Sequence, residues 1–337
     1  METFQTVLAS LLGAGGVAFL IARWIATRTV EHGFSLHLQT HRAQLDEALV
    51  RTKAALDADV AAAQAGLQAS LHRSTELMLG EEAAERSYRF EARKRLYSAV
   101  GPLRFQLIEA SIRFRKRMRS FGRTTYDTQL EGYFGRSLLY RVSGVLALTE
   151  LIERQIAHAD FSVDPAMIVL LRFRAQVLRA LSSGDVPLDH GAVDWDRQHE
   201  HVFRDQLPVV AISMVHANDQ PERIVRFDEF VHLLDQGNGR YLQPLAGLID
   251  RLNPTGTPIV WLRLLAMAEA CGGFLDQEPV AQQLDNPVLD LRCLVEMSND
   301  PHVQENREAY LAMLASFRAA VPPVAASPVT TLAPSSS

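Results

Sequence analysis

The sequence predicts an all-α chain in three parts: an N-terminal transmembrane helix, a long coiled-coil rod with an eleven-residue repeat, and a C-terminal multi-helix domain. Three observations predict it. An uncharged apolar run opens the chain, a paired apolar stripe follows at a fixed spacing, and helix-period patterns broken by Pro and Gly occupy the remainder. Alternation of apolar and polar residues, the mark of a half-buried strand, is confined to brief runs such as 207–215. The expected divisions are an anchor over 1–28, a rod over 29–85, a helical domain over 86–320 and a tail over 321–337.

Residues 4–22 carry no ionisable side chain, and the apolar run continues past Arg23 through Trp24 and Ile25. A helix rises ~1.5 Å per residue, so about 20 residues cross a hydrocarbon core of about 30 Å. Residues 4–25 are long enough, and the lipid bilayer is their expected partner. A cleaved signal peptide carries its positive charge ahead of the apolar run, whereas here Glu2 precedes it and Arg23 and Arg28 follow. Positive flanks stay on the cytoplasmic side, which predicts an N-terminus outside and everything beyond Arg28 in the cytoplasm. Ala14, Ala18 and Ala22, with Gly13, Gly15 and Gly16, would admit a second helix at close range, although such residues are common in membrane helices generally.

Behind the anchor, apolar residues fall in pairs: Phe34 with Leu38, Leu45 with Leu49, Leu56 with Val60, Leu67 with Leu71, then Met78. Each pair recurs after eleven residues, and no proline occurs before Pro102. Eleven residues over three turns is about 3.67 per turn, the period of a straight or slightly right-handed coiled coil. The positions between are mostly alanine and charged residues, so the stripe needs a partner. A second copy of the chain is the simplest partner, and packing of the stripe on its own domain is the alternative.

The net charge of −5 conceals a strong asymmetry: residues 1–85 carry −4, residues 86–123 carry +10 from twelve Lys or Arg against two Glu, and the rest carries −11. Within the basic segment Leu103, Leu107, Ala110, Phe114, Met118 and Phe121 share one helical face. Arg104, Arg113, Arg115, Lys116, Arg117 and Arg119 occupy the remainder. This predicts a core-facing helix with a basic back, in which Arg113, Arg115, Lys116, Arg117 and Arg119 form a patch for an anionic partner. Nucleic-acid phosphates, anionic lipid and the acidic remainder of the chain are the partners considered. An upright rod would hold the patch tens of ångströms from the bilayer, beyond a Debye length of ~8 Å, which disfavours lipid. Solvation or neutralisation by the acidic region is the commonest fate of such charge and ranks ahead of nucleic acid.

Further helical patterns cover 129–159, 165–181, 222–235, 241–252, 259–275 and 287–317, with Asp164-Pro165, Ser183-Gly184, Gly237-Asn238-Gly239 and Asn253-Pro254-Thr255-Gly256 as stops or turns. The last seventeen residues hold Pro, Ala, Ser and Thr without charge, a composition that predicts disorder. Within the helical domain, Phe90-Glu91-Ala92-Arg93-Lys94-Arg95-Leu96-Tyr97, Gly101-Pro102-Leu103 and Tyr140-Arg141 stand out. So do Asp160-Phe161-Ser162-Val163-Asp164-Pro165 and Thr257-Pro258-Ile259-Val260-Trp261. On these stretches residues 88–275 resemble an uncharacterised group of bacterial membrane-anchored helical proteins. The resemblance implies a helical fold on a bacterial inner membrane, and it brings no reaction, cofactor or catalytic residue with it.

Two cysteines, Cys271 and Cys293, without CxxC spacing provide neither a disulfide framework nor a four-cysteine zinc site, which fits a reducing cytosol. Walker loop, nucleophile elbow, HExxH and dinucleotide fingerprint are all absent, so no cofactor is expected. The densest polar cluster is Asp194-Trp195-Asp196-Arg197-Gln198-His199-Glu200-His201. Its two histidines lie two apart and diverge on a helix, converging on one face only if extended, so a solvated loop or helix start is the expected role. Asp164 before Pro165 reads as a helix N-cap with proline at the first position, in preference to a carboxylate pair with Asp160. Arg226, Asp228 and Glu229 beside Phe227 and Phe230 read as an amphipathic helix.

These features favour a membrane-tethered interaction or scaffold protein with self-association through the rod and a protein partner for the domain. A nucleic-acid-binding or phage-defence component using the basic helix is the second expectation, and a hydrolase centred on residues 194–201 the third.

Overall fold

The structure, a computed structural model, describes residues 2–124, 127–157, 164, 166–191, 193–196, 199–216 and 222–321, without the side chains of 2–18, 20, 26–27, 29–36 and 238. The predicted tail therefore lies almost wholly outside the described residues. The chain divides into two compact units, 1–85 and 86–337. Among the described residues the regular structure is ten α-helices, three short 3-10 helices and one hairpin of two two-residue strands, so the all-α expectation holds.

Helix α1 runs from Glu2 to Phe121. In the first unit it is the whole structure, and the eleven-residue stripe stands in solvent: Leu45, Leu49, Leu56, Val60, Leu67 and Leu71 are all 47–67% exposed. The side chains expected to fill most of the membrane span are among those not described. Phe19, Ile21, Trp24 and Ile25 are exposed, and the Arg28 guanidinium lies 4.7 Å from the Trp24 ring centroid.

In the second unit α1 continues as a core helix. The expected face of Leu103, Leu107, Phe114, Met118 and Phe121 is buried, with Ala110 packed at its margin. Pro102 sits within the helix on its exposed side, where its missing N–H removes one ladder bond without ending the helix. Helices α2 (Tyr133–Ala157) and α3 (Ala166–Ser182) follow, and α2 packs on α3.

The run 207–215 departs from its strand-like appearance. Its first residues form α4 (Leu207–Ser213), with Pro208 in the first turn. Leu207, Val210, Ala211 and Met214 are buried, and their spacing is helical. Strand β1 (Val215–His216) then pairs antiparallel with β2 (Arg223–Ile224), so the pattern expected from 222 becomes helical only at α5 (Phe227–Asp235). The Glu229 carboxylate fixes that start, accepting from the Arg226 N–H at 2.6 Å and from Arg223 at 2.8 Å, bonds that hold its pKa down to about 2.

Helix α6 (Gln243–Ile249) leads to α7 (Pro258–Asp276), which is buried from Pro258 to Leu275 and packs against α3 and the last helix, α10 (Arg307–Ala319). Among the described residues α7 alone is long and apolar enough to cross a membrane, and its complete burial makes it the core helix of this unit. Two glycines permit its close packing. A Cβ on Gly272 would overlap the Arg115 guanidinium, and one on Gly273 the Arg318 carbonyl of α10. The pattern over 287–317 is broken into α8 (Leu291–Glu296), α9 (Pro301–Glu305) and α10 (Arg307–Ala319). Asp290 caps α8 through the Cys293 N–H, and Asp300 caps α9 through the Val303 N–H.

Candidate functional site

The five cations expected to form one basic patch do not share a surface. Arg115 is 1% exposed and Arg117 9% exposed, so both lie inside the fold. Arg115 donates to the Ala268 carbonyl at 2.6 Å, the Pro287 carbonyl at 3.0 Å and the Glu269 carboxylate at 3.1 Å. Arg117 donates to the Ser137 hydroxyl at 2.8 Å and lies 5.2 Å from the Phe134 ring centroid. Lys116 meets Asp285 at 2.9 Å in solvent, and Arg113 meets Glu109 at 3.0 Å one helical turn away. Arg119 is half-buried. Three of these cations therefore answer acidic residues of the same chain.

The segment over 194–201 was expected to be a solvated loop or helix start, and its end is a buried, non-helical strap instead. Asp194 bridges to His199, and Glu200 and His201 are 2% and 0% exposed. Glu200, in the left-handed region at φ 58°, turns its carboxylate onto the first turn of α7. There it accepts from the Ile259 N–H at 2.6 Å and the Val260 N–H at 3.1 Å. An anion is favoured where a helix exposes free N–H groups. Burial raises the Glu200 pKa, and these two bonds oppose the rise.

Arg263 of α7 answers from within. It donates to the Glu200 carbonyl at 2.8 Å and to the Ser183 and Ala180 carbonyls at the end of α3 at 2.9 and 3.1 Å, while burial lowers its pKa to about 10. His201 packs between Trp195 and Phe203, at ring-centroid distances of 4.4 and 4.9 Å. Its Nδ1 lies 3.1 Å from the His199 carbonyl, and its buried Nε2 has no hydrogen-bond partner among the described residues. These groups form a strap that ties the end of α3 to the start of α7. Arg197 and Gln198 lie outside the described residues, and among those described no three His, Cys, Asp or Glu gather where they could hold a metal ion.

Asp164 caps α3, accepting from the Ala166 N–H at 2.9 Å, and also accepts a short hydrogen bond from the Tyr97 hydroxyl that raises the tyrosine pKa. Asp160 and Pro165 fall outside the described residues.

Sequence reasoning did not single out a cleft of about 330 Å³ between α1, α2 and the hairpin-to-α5 corner. Gln106, Glu109 and Arg113 of α1 line one side, and Tyr133, Ser137, Tyr140, Arg141 and Gly144 of α2 line another. Ile224 and Phe227 complete it. Phe227 meets the Tyr140 and Tyr133 rings edge-on at 5.3 and 5.9 Å, and the Tyr140 hydroxyl donates to the Val225 carbonyl at 3.0 Å. Arg141 donates to the Arg113 carbonyl at 2.9 Å and to the Ser137 hydroxyl at 3.3 Å. Burial, then the charge of Arg117, depresses the Arg141 pKa. No local motif marks this place, because its parts come from four elements.

No family model, curated protein or solved structure matches the chain.

Proposed function

We propose that this chain is a membrane-tethered scaffold: residues 4–25 anchor it in a bacterial inner membrane with the N-terminus outside, the rod joins two copies, and the helical domain engages a protein partner in the cytoplasm. The observation that carries the reading is the exposed stripe, in which Leu45, Leu49, Leu56, Val60, Leu67 and Leu71 remain in solvent within the first unit. A continuous leucine-rich stripe left in water costs roughly 25 cal/mol for each Å² of apolar surface, and a second copy in register removes that surface. Trp24 beside Arg28 supports the anchor, since aromatic residues favour either boundary of a span and basic residues its cytoplasmic flank. The buried pairing of Arg115 with Glu269 and the contact of Lys116 with Asp285 favour the scaffold over a nucleic-acid binder, because those cations already have acidic partners.

Sedimentation of the detergent-solubilised full chain tests the pairing. The parent should sediment as an oligomer, and L56D combined with L67D should shift it toward monomer by placing charge in the seam. A monomeric parent would refute the role of the stripe.

A further inference from the structure

The cleft between α1, α2 and α5 gathers guanidinium and hydroxyl donors, and among the described residues that line it Glu109 alone is a carboxylate. Ser137 is 3% exposed, and its oxygen accepts from both Arg117 at 2.8 Å and Arg141 at 3.3 Å. A hydroxyl with both lone pairs engaged has only its proton left to offer. Arg141 makes two hydrogen bonds among the described residues, which leaves three of its five N–H donors for other partners. Arg113 adds a second guanidinium at the rim, balanced by Glu109, and Arg117 stands behind Ser137. Such a set of donors is completed by an anion with several oxygens, for which guanidinium groups supply charge-assisted bonds.

The other walls are aromatic. Tyr133 is 59% exposed, and Phe227 and Tyr140 meet edge to face beside it, so a flat ring can lie against them. A volume of about 330 Å³ is larger than an inorganic anion needs and falls at the small end of ligand cavities. The floor has room as well: a Cβ built on Gly144 meets only the Ile224 side chain, at 4.0 Å.

We propose that this cleft binds a nucleoside monophosphate, its phosphate on Arg113, Arg141 and the Ser137 hydroxyl and its base against Tyr133 and Phe227. Stacking of bases on aromatic rings and contacts from guanidinium groups both recur where proteins hold unpaired nucleotides. This site does not depend on self-association or on the membrane anchor.

Equilibrium dialysis of the purified full chain against AMP, GMP, CMP and UMP, with the four parent nucleosides as controls, tests it. At least one monophosphate should bind at one molecule per chain, with its nucleoside about tenfold or more weaker. Arg113→Gln should weaken binding about tenfold by removing one charged contact. Gly144→Met should abolish it by filling the floor while improving helix propensity, with an unfolding temperature no lower than the parent's. No binding of any monophosphate at millimolar concentration would overturn the proposal. So would binding untouched by Gly144→Met, or a nucleoside held as tightly as its monophosphate.

Discussion

Arg115 and Lys116 are neighbours in sequence with opposite environments. Lys116 pairs with Asp285 in water, where such a bond contributes little. Arg115 is enclosed with Glu269, at 1% and 4% side-chain exposure, and also donates to two carbonyls. Breaking a buried pair on one side leaves the other charge under-compensated, and Glu269 would keep only its longer contact with Arg318, at 3.5 Å. Arg115→Met should therefore lower the stability of the helical domain by about 3 kcal/mol. Lys116→Met should change it by less than about 1 kcal/mol. Urea unfolding followed by far-ultraviolet circular dichroism measures both, and equal effects would contradict this division. Sequence reading placed all five cations on one basic back because helical periodicity finds the apolar face and leaves every other position to solvent. Glu269 lies 154 residues from Arg115, and no local pattern reports a partner at that distance.

At the scale of elements, the legible features were those with a period or a long apolar run. The stripe of α1 and the face from Leu103 to Phe121 were evident from spacing, the run that became α7 from its predominantly apolar stretch, and Asp164 was readable as a cap from its position before proline. The strap over 194–203 was not, because its order comes from tertiary contacts: Glu200 serves a helix that begins 58 residues later. The cleft was hidden for the same reason.

The strap carries a pH signature. Burial depresses the His201 pKa below its ordinary value of 6.5, so below that pH the unfolded chain binds the proton more readily than the folded one. Stability should fall as pH drops from 6.5 toward the lower folded value, beneath which the penalty is complete. His201→Phe keeps an aromatic ring between Trp195 and Phe203 and removes the titration. The stability lost between about pH 7 and pH 5 should be smaller in the variant than in the parent, whatever the offset between them at pH 7. Identical losses in paired thermal melts would contradict the assignment.

For the whole molecule, the proposed anchor and stripe constrain each other. Two chains anchored in one membrane with the same orientation run parallel, so their stripes meet in register and each Leu56 faces its copy. Ala58, two positions along, points away from that seam. Of the native cysteines Cys271 is buried and Cys293 exposed, so a Cys293→Ser background leaves an introduced cysteine as the accessible thiol. The most direct test is a bifunctional maleimide cross-link of L56C in that background, performed on separated membrane and soluble fractions of bacterial cells, with A58C alongside. The account predicts a band of twice the chain mass in the membrane fraction, strong for L56C and weak for A58C. A single-chain band for L56C, or recovery of the protein in the soluble fraction, would contradict it.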